Sequence, residues 1–363
     1  MREQEDTPLV PDARKIAVLR TNGIGDFTFA LPALAALREA YPKAEIVLLA
    51  KRWLVGFLAG RPGPVDRVIA VPPSTGVNEV AGAIPDPNTL DEFFTHMRAE
   101  RFDLALQLHG GGLHSNPFLR RLGARVTAGL RTPDAMPLDR WIPYVYYQRE
   151  MLRYLEVVRL VGARATDPAP RLSVTEADLA ESREVMPEAG APIVVLHPGA
   201  TDPQRRWPAR YFAAVARALA SDGFRIGVIG TPEDRELVSE VVERSHGTAT
   251  DLAGRLSLGG TVGLLFRSIL SICNDSGPRH LAEAVGTPTV GIYWCFNIVT
   301  AGPATTARHR PLVSWQVLCP ICGMDLSRGH CDHTVSLVAN IPVSEVLAAA
   351  RDVLGQMQET SSR

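Results

Sequence analysis

Hydrophobic positions along this chain fall into short unbroken runs, separated by stretches of helical spacing. Residues 15–20 (KIAVLR), 45–50 (EIVLLA), 68–71 (VIAV) and 103–108 (DLALQL) are apolar or β-branched runs of strand length. Helical spacing covers residues 27–40, stopped by Tyr41-Pro42, and residues 150–161. After residues 186–192 (MPEAGAP) the pattern restarts. It gives a strand from Ile193 (IVVLHPGA), a helix over 208–221, a strand over 224–230 (FRIGVIG), a helix from Glu233 and a strand over 287–294 (TPTVGIYW). Pro208 just inside the first of these helices and Gly223 just past its end mark its limits. Continuous apolar strands alternating with helices predict an α/β protein with mostly parallel sheets covered on both faces.

The same order occurs twice. KIAVLRTNGIGD and IVVLHPGATD each read as a buried strand running into a turn ahead of a helix. A chain of 363 residues is also too long for one comfortable core. The expected organisation is a disordered tail over 1–14, a Rossmann-like domain over 15–186, a second over 192–342, and a C-terminal helix and tail over 343–363 that packs back on the first domain. Two doubly wound domains facing each other would hold a ligand in the cleft where strand C-termini converge. Residues 72–92, rich in proline, and 296–341, which carry the cysteines, read as long irregular loops.

Composition narrows the function. Hydrophobic residues make up 46% and charged residues 21%, and 38 Lys plus Arg face 39 Asp plus Glu. That balance excludes a disordered chain and gives no basic excess for nucleic acid. No apolar run approaches the ~18 residues of a membrane span, and the N-terminus lacks the apolar stretch of a secretory signal. The expected location is cytoplasmic, with at most peripheral contact at the inner face of a membrane.

Several clusters carry candidate chemistry. Gly23-Ile24-Gly25-Asp26 follows the first strand, but Thr28 stands where a dinucleotide fingerprint needs its third glycine. Asp26 either caps the following helix or serves as a base for a hydroxyl. The segment from Asn274 to His280 (NDSGPRH) opens a helix ended by Gly286 and Pro288. Its small residues suit a phosphate at the helix start, with Arg279 and His280 adding to that preference; a well-capped structural helix is the plain alternative. Arg205-Arg206 before Trp207-Pro208 opposes the helix dipole unless an anion is near, or is solvated surface. Glu233, after the strand at 224–230, suits either ribose hydroxyls or a first helical turn.

Cys319-Pro320-Ile321-Cys322 with Cys331 and His333 offers four ligands for tetrahedral zinc. The other reading of these residues is reduced free thiols. Five cysteines, clustered late in a long chain, do not form a secreted disulfide framework.

Taken in order, GxGD, HPGA followed by RRWP, GTPE and NDSGPRHLAEAVGTPTV resemble glycosyltransferase family nine, whose best-known members are ADP-heptose:lipopolysaccharide heptosyltransferases. The match runs from Lys15 to about Leu354. The resemblance implies a GT-B fold, with the acceptor on the N-terminal domain and a nucleotide-sugar donor on the C-terminal one. It implies inverting transfer of a sugar, heptose from ADP-heptose first of all, to a hydroxyl of a glycan or glycoconjugate, with no cofactor required for catalysis.

On this resemblance Asp26 is the general base, which displaces the cap reading, and Gly25 beside it belongs with the donor-binding set. Thr201 lies at the phosphate-binding turn and Arg205 replaces a Lys that meets phosphate and sugar. Glu233 falls at the ribose, Asp275 at a sugar hydroxyl, and Ser276, Gly277 and His280 along the diphosphate. No Lys or Arg occurs between Arg67 and Arg98, where the acceptor's phosphates would need them. Arg120 and Arg121, with Arg125 and Arg131, either substitute there or form a solvated face. Two alternatives remain at this stage: a nucleotide-sugar epimerase of the same architecture, and a degenerate module that binds without catalysis.

Overall fold

The structure, a computed structural model, describes the backbone of residues 8–361 and the side chains of residues 8–356. The chain divides into two compact units between Ser173 and Val174. In the first, β1 (Lys15–Leu19), α1 (Ile24–Ala40), β2 (Glu45–Ala50), α2 (Arg52–Leu58), β3 (Arg67–Ala70), α3 (Pro87–Glu100), β4 (Leu104–Gln107), α4 (Ser115–Arg120), β5 (Val126–Arg131), β6 (Arg140–Pro143) and α5 (Glu150–Arg159) follow one another. The strands form a parallel sheet in the order β3-β2-β1-β4-β5-β6. β1 and β2 are apolar on both faces because helices cover both sides, so Ile16 through Leu19 and Ile46 through Ala50 are fully buried.

The second unit runs α6 (Glu176–Val185), β7 (Ile193–His197), α7 (Ala209–Ser221), β8 (Arg225–Gly230), α8 (Arg235–Arg244), β9 (Ala249–Ala253), α9 (Leu258–Arg267), β10 (Ser268–Asn274), α10 (Gly277–Ala284), β11 (Thr289–Trp294), α11 (Cys295–Ala301), β12 (His309–Ser314) and α12 (Val343–Ser361). Its parallel sheet has the order β12-β11-β10-β7-β8-β9. Val194, Leu196, Trp207, Phe212, Val228 and Ile272 lie at the centre of its core. Each unit is a Rossmann-like sheet whose strand order reverses at one point. The reversal lies between β1 and β4 in the first unit and between β7 and β10 in the second. In open α/β sheets that point, at the strand C-termini, is where ligands sit.

Several features differ from those read in the sequence. The division lies ahead of α6, not at 186–192, because α6 packs on α9 of the second unit. Gly259, Gly260 and Gly263 let the two helices approach: a Cβ on Gly263 would strike the Asp178 carbonyl. The C-terminal helix, expected on the first domain, packs within the second unit. It lays Val346, Ala350, Val353 and Leu354 into the second unit's core against α7, β10, β11 and β12. Of the expected N-terminal tail, residues 1–7 lie outside the described residues, while Val10 is buried and donates its N–H to Tyr41 Oη at 3.0 Å. The loop read at 72–92 yields to α3 from Pro87, and that at 296–341 contains α11 and β12.

Candidate functional site

At the first switch point, β1 ends in Arg20 and α1 opens at Gly23. Asp26 stands in the first turn of α1 and its two oxygens are used differently. Oδ2 accepts the Gly23 N–H at 3.1 Å, so the cap is formed. Oδ1 accepts from Arg20 Nη2 at 2.8 Å. The Asp26 side chain is 37% exposed, whereas that of Arg20 is 3% exposed.

Arg20 is fixed from several sides. Nη1 donates to the Leu108 carbonyl at 2.8 Å, Glu150 Oε2 lies 3.7 Å from Nη2, and the guanidinium sits 4.9 Å from the Tyr154 ring centroid. Burial alone would lower its pKa, but Tyr154, Asp26 and Glu150 outweigh that and raise it, so it stays a cation. Beside it, His109 follows β4 and its Nδ1 meets Thr21 Oγ1 at 3.2 Å. Burial and the Arg20 charge push His109 down to about 4, which leaves it neutral at pH 7.

Away from this corner, Lys51, Arg52, Trp53, Glu79, Phe93 and His96 border a depression of about 950 Å³ past the ends of β2 and β3. Sequence reasoning missed it. Lys51 and Arg52 precede the stretch between Arg67 and Arg98, which carries no Lys or Arg, and reach the place through the sheet order. Arg120 and Arg121 are engaged within the first unit. Arg120 Nη1 donates to the Pro137 carbonyl at 3.2 Å; Arg121 pairs with Asp91 at 2.6 Å and stacks 3.8 Å over Phe94.

At the second switch point the loops after β7, β8 and β10 leave three adjacent parallel strands at one sheet edge. Asn274, fully buried at the end of β10, ties two of these segments down. Its Oδ1 accepts the Trp207 N–H at 3.0 Å and its Nδ2 donates to the Pro198 carbonyl at 2.7 Å. Trp207 is itself buried and donates Nε1–H to the Ile341 carbonyl at 2.9 Å. This explains why Asn274, His197 and Trp207 accompany the polar residues in their motifs, a role the sequence reading left unassigned.

Asp275 is 5% exposed and lies between two nitrogen groups. Arg205 Nη1 is 3.3 Å from Oδ2, and His280 Nε2 is 3.3 Å from Oδ1. Arg279 Nη2 faces His280 Nδ1, which makes that nitrogen the acceptor and directs Nε2–H toward Asp275. Burial, helped by Arg279, lowers the His280 pKa although Asp275 opposes it. Arg279 itself does not face a ligand, contrary to the weight given it from sequence. It is fully buried and pairs with Glu283 at 3.0 Å.

Ser276 precedes the first turn of α10, its Oγ 3.0 Å from His197 Nδ1, with Gly277 opening the helix. The N–H groups of that turn are therefore presented at the sheet edge beside Asp275. His197 is held near pH 4 by burial, and its Nε2 lies 3.9 Å from Asp234. A Cβ on Gly199 would come within 2.9 Å of the Asp234 carboxylate, so the HPGA turn requires glycine for this approach. Thr201 and Glu233 are exposed on the same edge, in the loops after β7 and β8. Gly25 belongs to the first unit, in the turn of Asp26.

The cysteine segment closes into a cluster. One ligand atom from each of Cys319, Cys322, Cys331 and His333 lies within 4.8 Å of all the others. The N–H groups of Cys322 and Ile321 point at the Cys319 sulfur and hold that thiol down to about 6, against the opposing effect of desolvation. Cys273 and Cys295 are buried elsewhere.

Two Rossmann-like parallel sheets, each with polar residues at its switch point, make up a GT-B fold. The sequence profile described as "Glycosyltransferase family 9 (heptosyltransferase)" matches residues 91–313, and the chain belongs to that family. It is 26% identical over 296 residues to lipopolysaccharide heptosyltransferase 2 of Salmonella typhimurium, covering 77% of this chain and 82% of that one. It is 21% identical over 308 residues to the lipopolysaccharide core heptosyltransferase OpsX of Haemophilus influenzae, covering 82% and 84%. Among solved structures, a family 9 glycosyl transferase from Veillonella parvula superposes with a TM-score of 0.80 at 23% identity, over 96% of this chain and 99% of that one. The E. coli ADP-heptose LPS heptosyltransferase II does so at 0.73 and 20%, over 95% and 99%. Among the described residues no helix is long and apolar enough to cross a membrane.

Proposed function

We propose that this glycosyltransferase moves heptose from ADP-heptose to a hydroxyl of a lipopolysaccharide core-type glycan, with inversion and without a catalytic metal. The observation that carries the reading is the half-exposed Asp26 carboxylate, held on one oxygen by the buried Arg20. Asp26 takes the proton of the acceptor hydroxyl as that oxygen bonds to the anomeric carbon from the face opposite the diphosphate. The bond from that carbon to the diphosphate oxygen breaks, and its electrons leave with the nucleotide. Arg205 and the N–H groups of the first turn of α10 meet the negative charge that develops there.

On the donor, Thr201, Ser276, Gly277 and His280 are assigned to the diphosphate, with Gly25 offered from the first unit. Glu233 is assigned to ribose hydroxyls and Asp275 to a hydroxyl of the sugar. The acceptor's anionic groups go first to Lys51 and Arg52 at the depression of the first unit, with Trp53 and Phe93 as apolar walls. Arg120 and Arg121 come second, since both already have partners. The reaction would take place in the cytoplasm, at most peripherally on the inner membrane face. The same reading takes Cys319, Cys322, Cys331 and His333 as a structural zinc site outside the transfer chemistry.

The test is a calorimetric titration of the purified protein with ADP, UDP, GDP and CMP. Selective binding of ADP supports the heptose donor; preference for UDP or GDP discards ADP-heptose and keeps the transfer chemistry.

A further inference from the structure

Residues 315–342 join β12 to α12 with little regular structure, and much of this segment is exposed. Trp315 is 73% exposed and Ile321 63%, so apolar burial does little to hold residues 315–334, whereas Leu337, Val338 and Ile341 at the far end are buried in the second unit. A few backbone bonds shape its tip: Leu318 and Asp325 form an isolated antiparallel bridge, Cys319 N–H donates to the Met324 carbonyl at 2.9 Å, and Gly323 N–H donates to the Cys319 carbonyl at 2.9 Å. Long loops without a core of their own need another constraint.

The four ligand atoms supply one. Three sulfurs and one imidazole nitrogen within 4.8 Å of one another match the donor set of a closed structural zinc site. With zinc–sulfur bonds of about 2.3 Å, neighbouring ligands of a tetrahedron stand about 3.8 Å apart. Cys319 Sγ and His333 Nδ1 are 3.7 Å apart.

From the cluster a short path leads to the donor residues. The His333 carbonyl accepts from Gln204 Nε2 at 2.6 Å. Downstream in the same loop, Leu337 N–H donates to the Gln204 carbonyl at 2.8 Å. Gln204 is the middle residue of the turn Pro203–Arg205. The next residue, Arg205, reaches back to Asp275 at 3.3 Å. A loop fixed at His333 therefore clamps the side chain of the residue before Arg205, whose backbone is already tied to the buried Leu337.

We infer that zinc held by Cys319, Cys322, Cys331 and His333 acts as a clasp on the Asp202–Arg206 turn, setting the position of Arg205 and hence the affinity for a nucleoside diphosphate. This rests on the donor reading above for its ligand and on the cluster for its metal. The zinc stays four-coordinate and takes no part in the reaction. Its loss frees residues 315–334, releases the Gln204 side chain from the His333 carbonyl, and leaves Arg205 to order itself when the diphosphate arrives.

The experiment compares the purified protein as isolated, after stripping with a chelator, and after zinc is returned. Metal content, hydrogen exchange at residues 202–206 and ADP affinity are measured on each. The expected result is about one zinc per chain, with faster exchange at 202–206 and about tenfold weaker ADP binding after stripping, both restored by zinc. A Gln204→Ala variant should keep its zinc yet show the fast exchange. Protein that neither contains zinc nor takes it up overturns the clasp. So does bound zinc whose removal changes neither exchange nor affinity, or a Gln204→Ala variant that exchanges like the parent. If no form binds ADP, the donor reading fails by itself. Exchange at 202–206 then decides the clasp: zinc-dependent protection supports it, and indifference to zinc overturns it.

Discussion

Arg20 grips Asp26 from inside the fold: Nη2 of the buried guanidinium lies 2.8 Å from Oδ1 of the half-exposed carboxylate. The arginine is held by the Leu108 carbonyl and by Glu150, so the carboxylate inherits a fixed direction. Arg20→Lys keeps the charge but cannot reach Asp26 and Leu108 together. Turnover should fall about a hundredfold while ADP affinity stays within about twofold. Steady-state kinetics with calorimetry of ADP checks this; equal loss of both would mean that Arg20 serves the fold at large.

Asn274 spends its side chain on backbone groups of two other loops, so its truncation should loosen the donor edge without touching the first unit. Asn274→Ala leaves the Trp207 N–H and the Pro198 carbonyl unpaired in a buried place. The expected cost is about 2 kcal/mol in urea unfolding, with ADP binding weakened more than kcat. A fall in kcat at unchanged donor affinity would contradict this placement.

Acid should weaken the second unit before carboxylates titrate. His197 and His309 are buried, and burial holds both near pH 4. In the unfolded chain each takes up its proton at about pH 6.5. The unfolded state therefore binds more protons between those values, and stability is lost as pH falls from about 6.5 toward 4. The expected loss by pH 5 is on the order of 2 kcal/mol per histidine. Urea midpoints at pH 7 and pH 5 measure it; a midpoint independent of pH would contradict neutral burial.

The contact of α6 with α9 gives a paired prediction. Gly263→Ala drives a methyl group into the Asp178 carbonyl and should cost about 2 kcal/mol. Gly56→Ala, in α2 with open space around it, should instead stabilise by about 0.5–1 kcal/mol. Thermal melts of both variants decide it. A neutral Gly263→Ala would mean that the helices are not pressed together there.

Most strands legible in the sequence are shielded by neighbours; β3, read from VIAV, is at an edge, and the interior β10 was missed. β1, β2, β4, β7 and β8 lie inside their sheets, and their apolar runs give them away. β6 (RWIP), β9 (ATDLA) and β12 (HRPLVS) are edge strands, where proline and charge are tolerated because one side makes no ladder. The interior β5 was hidden by Gly129, where a Cβ would come within 2.8 Å of the Gln107 side chain. α6 was misassigned because Asp178 and Ser182, polar residues, form its buried face. At the site, the motifs showed which residues gather at each sheet edge. They did not show that Arg279 turns inward to Glu283, or that Lys51 and Arg52 flank a depression, since those depend on packing between distant segments.

The most direct measurement of the central claim is ADP release from ADP-heptose, with and without a heptose-free lipopolysaccharide core acceptor, in the parent and in Asp26→Asn, with the product identified by mass spectrometry. The account predicts release that depends on the acceptor, a product heavier by one heptose, and about a thousandfold slower turnover in Asp26→Asn with ADP affinity unchanged. Turnover in Asp26→Asn equal to the parent, or release that ignores the acceptor, would contradict it.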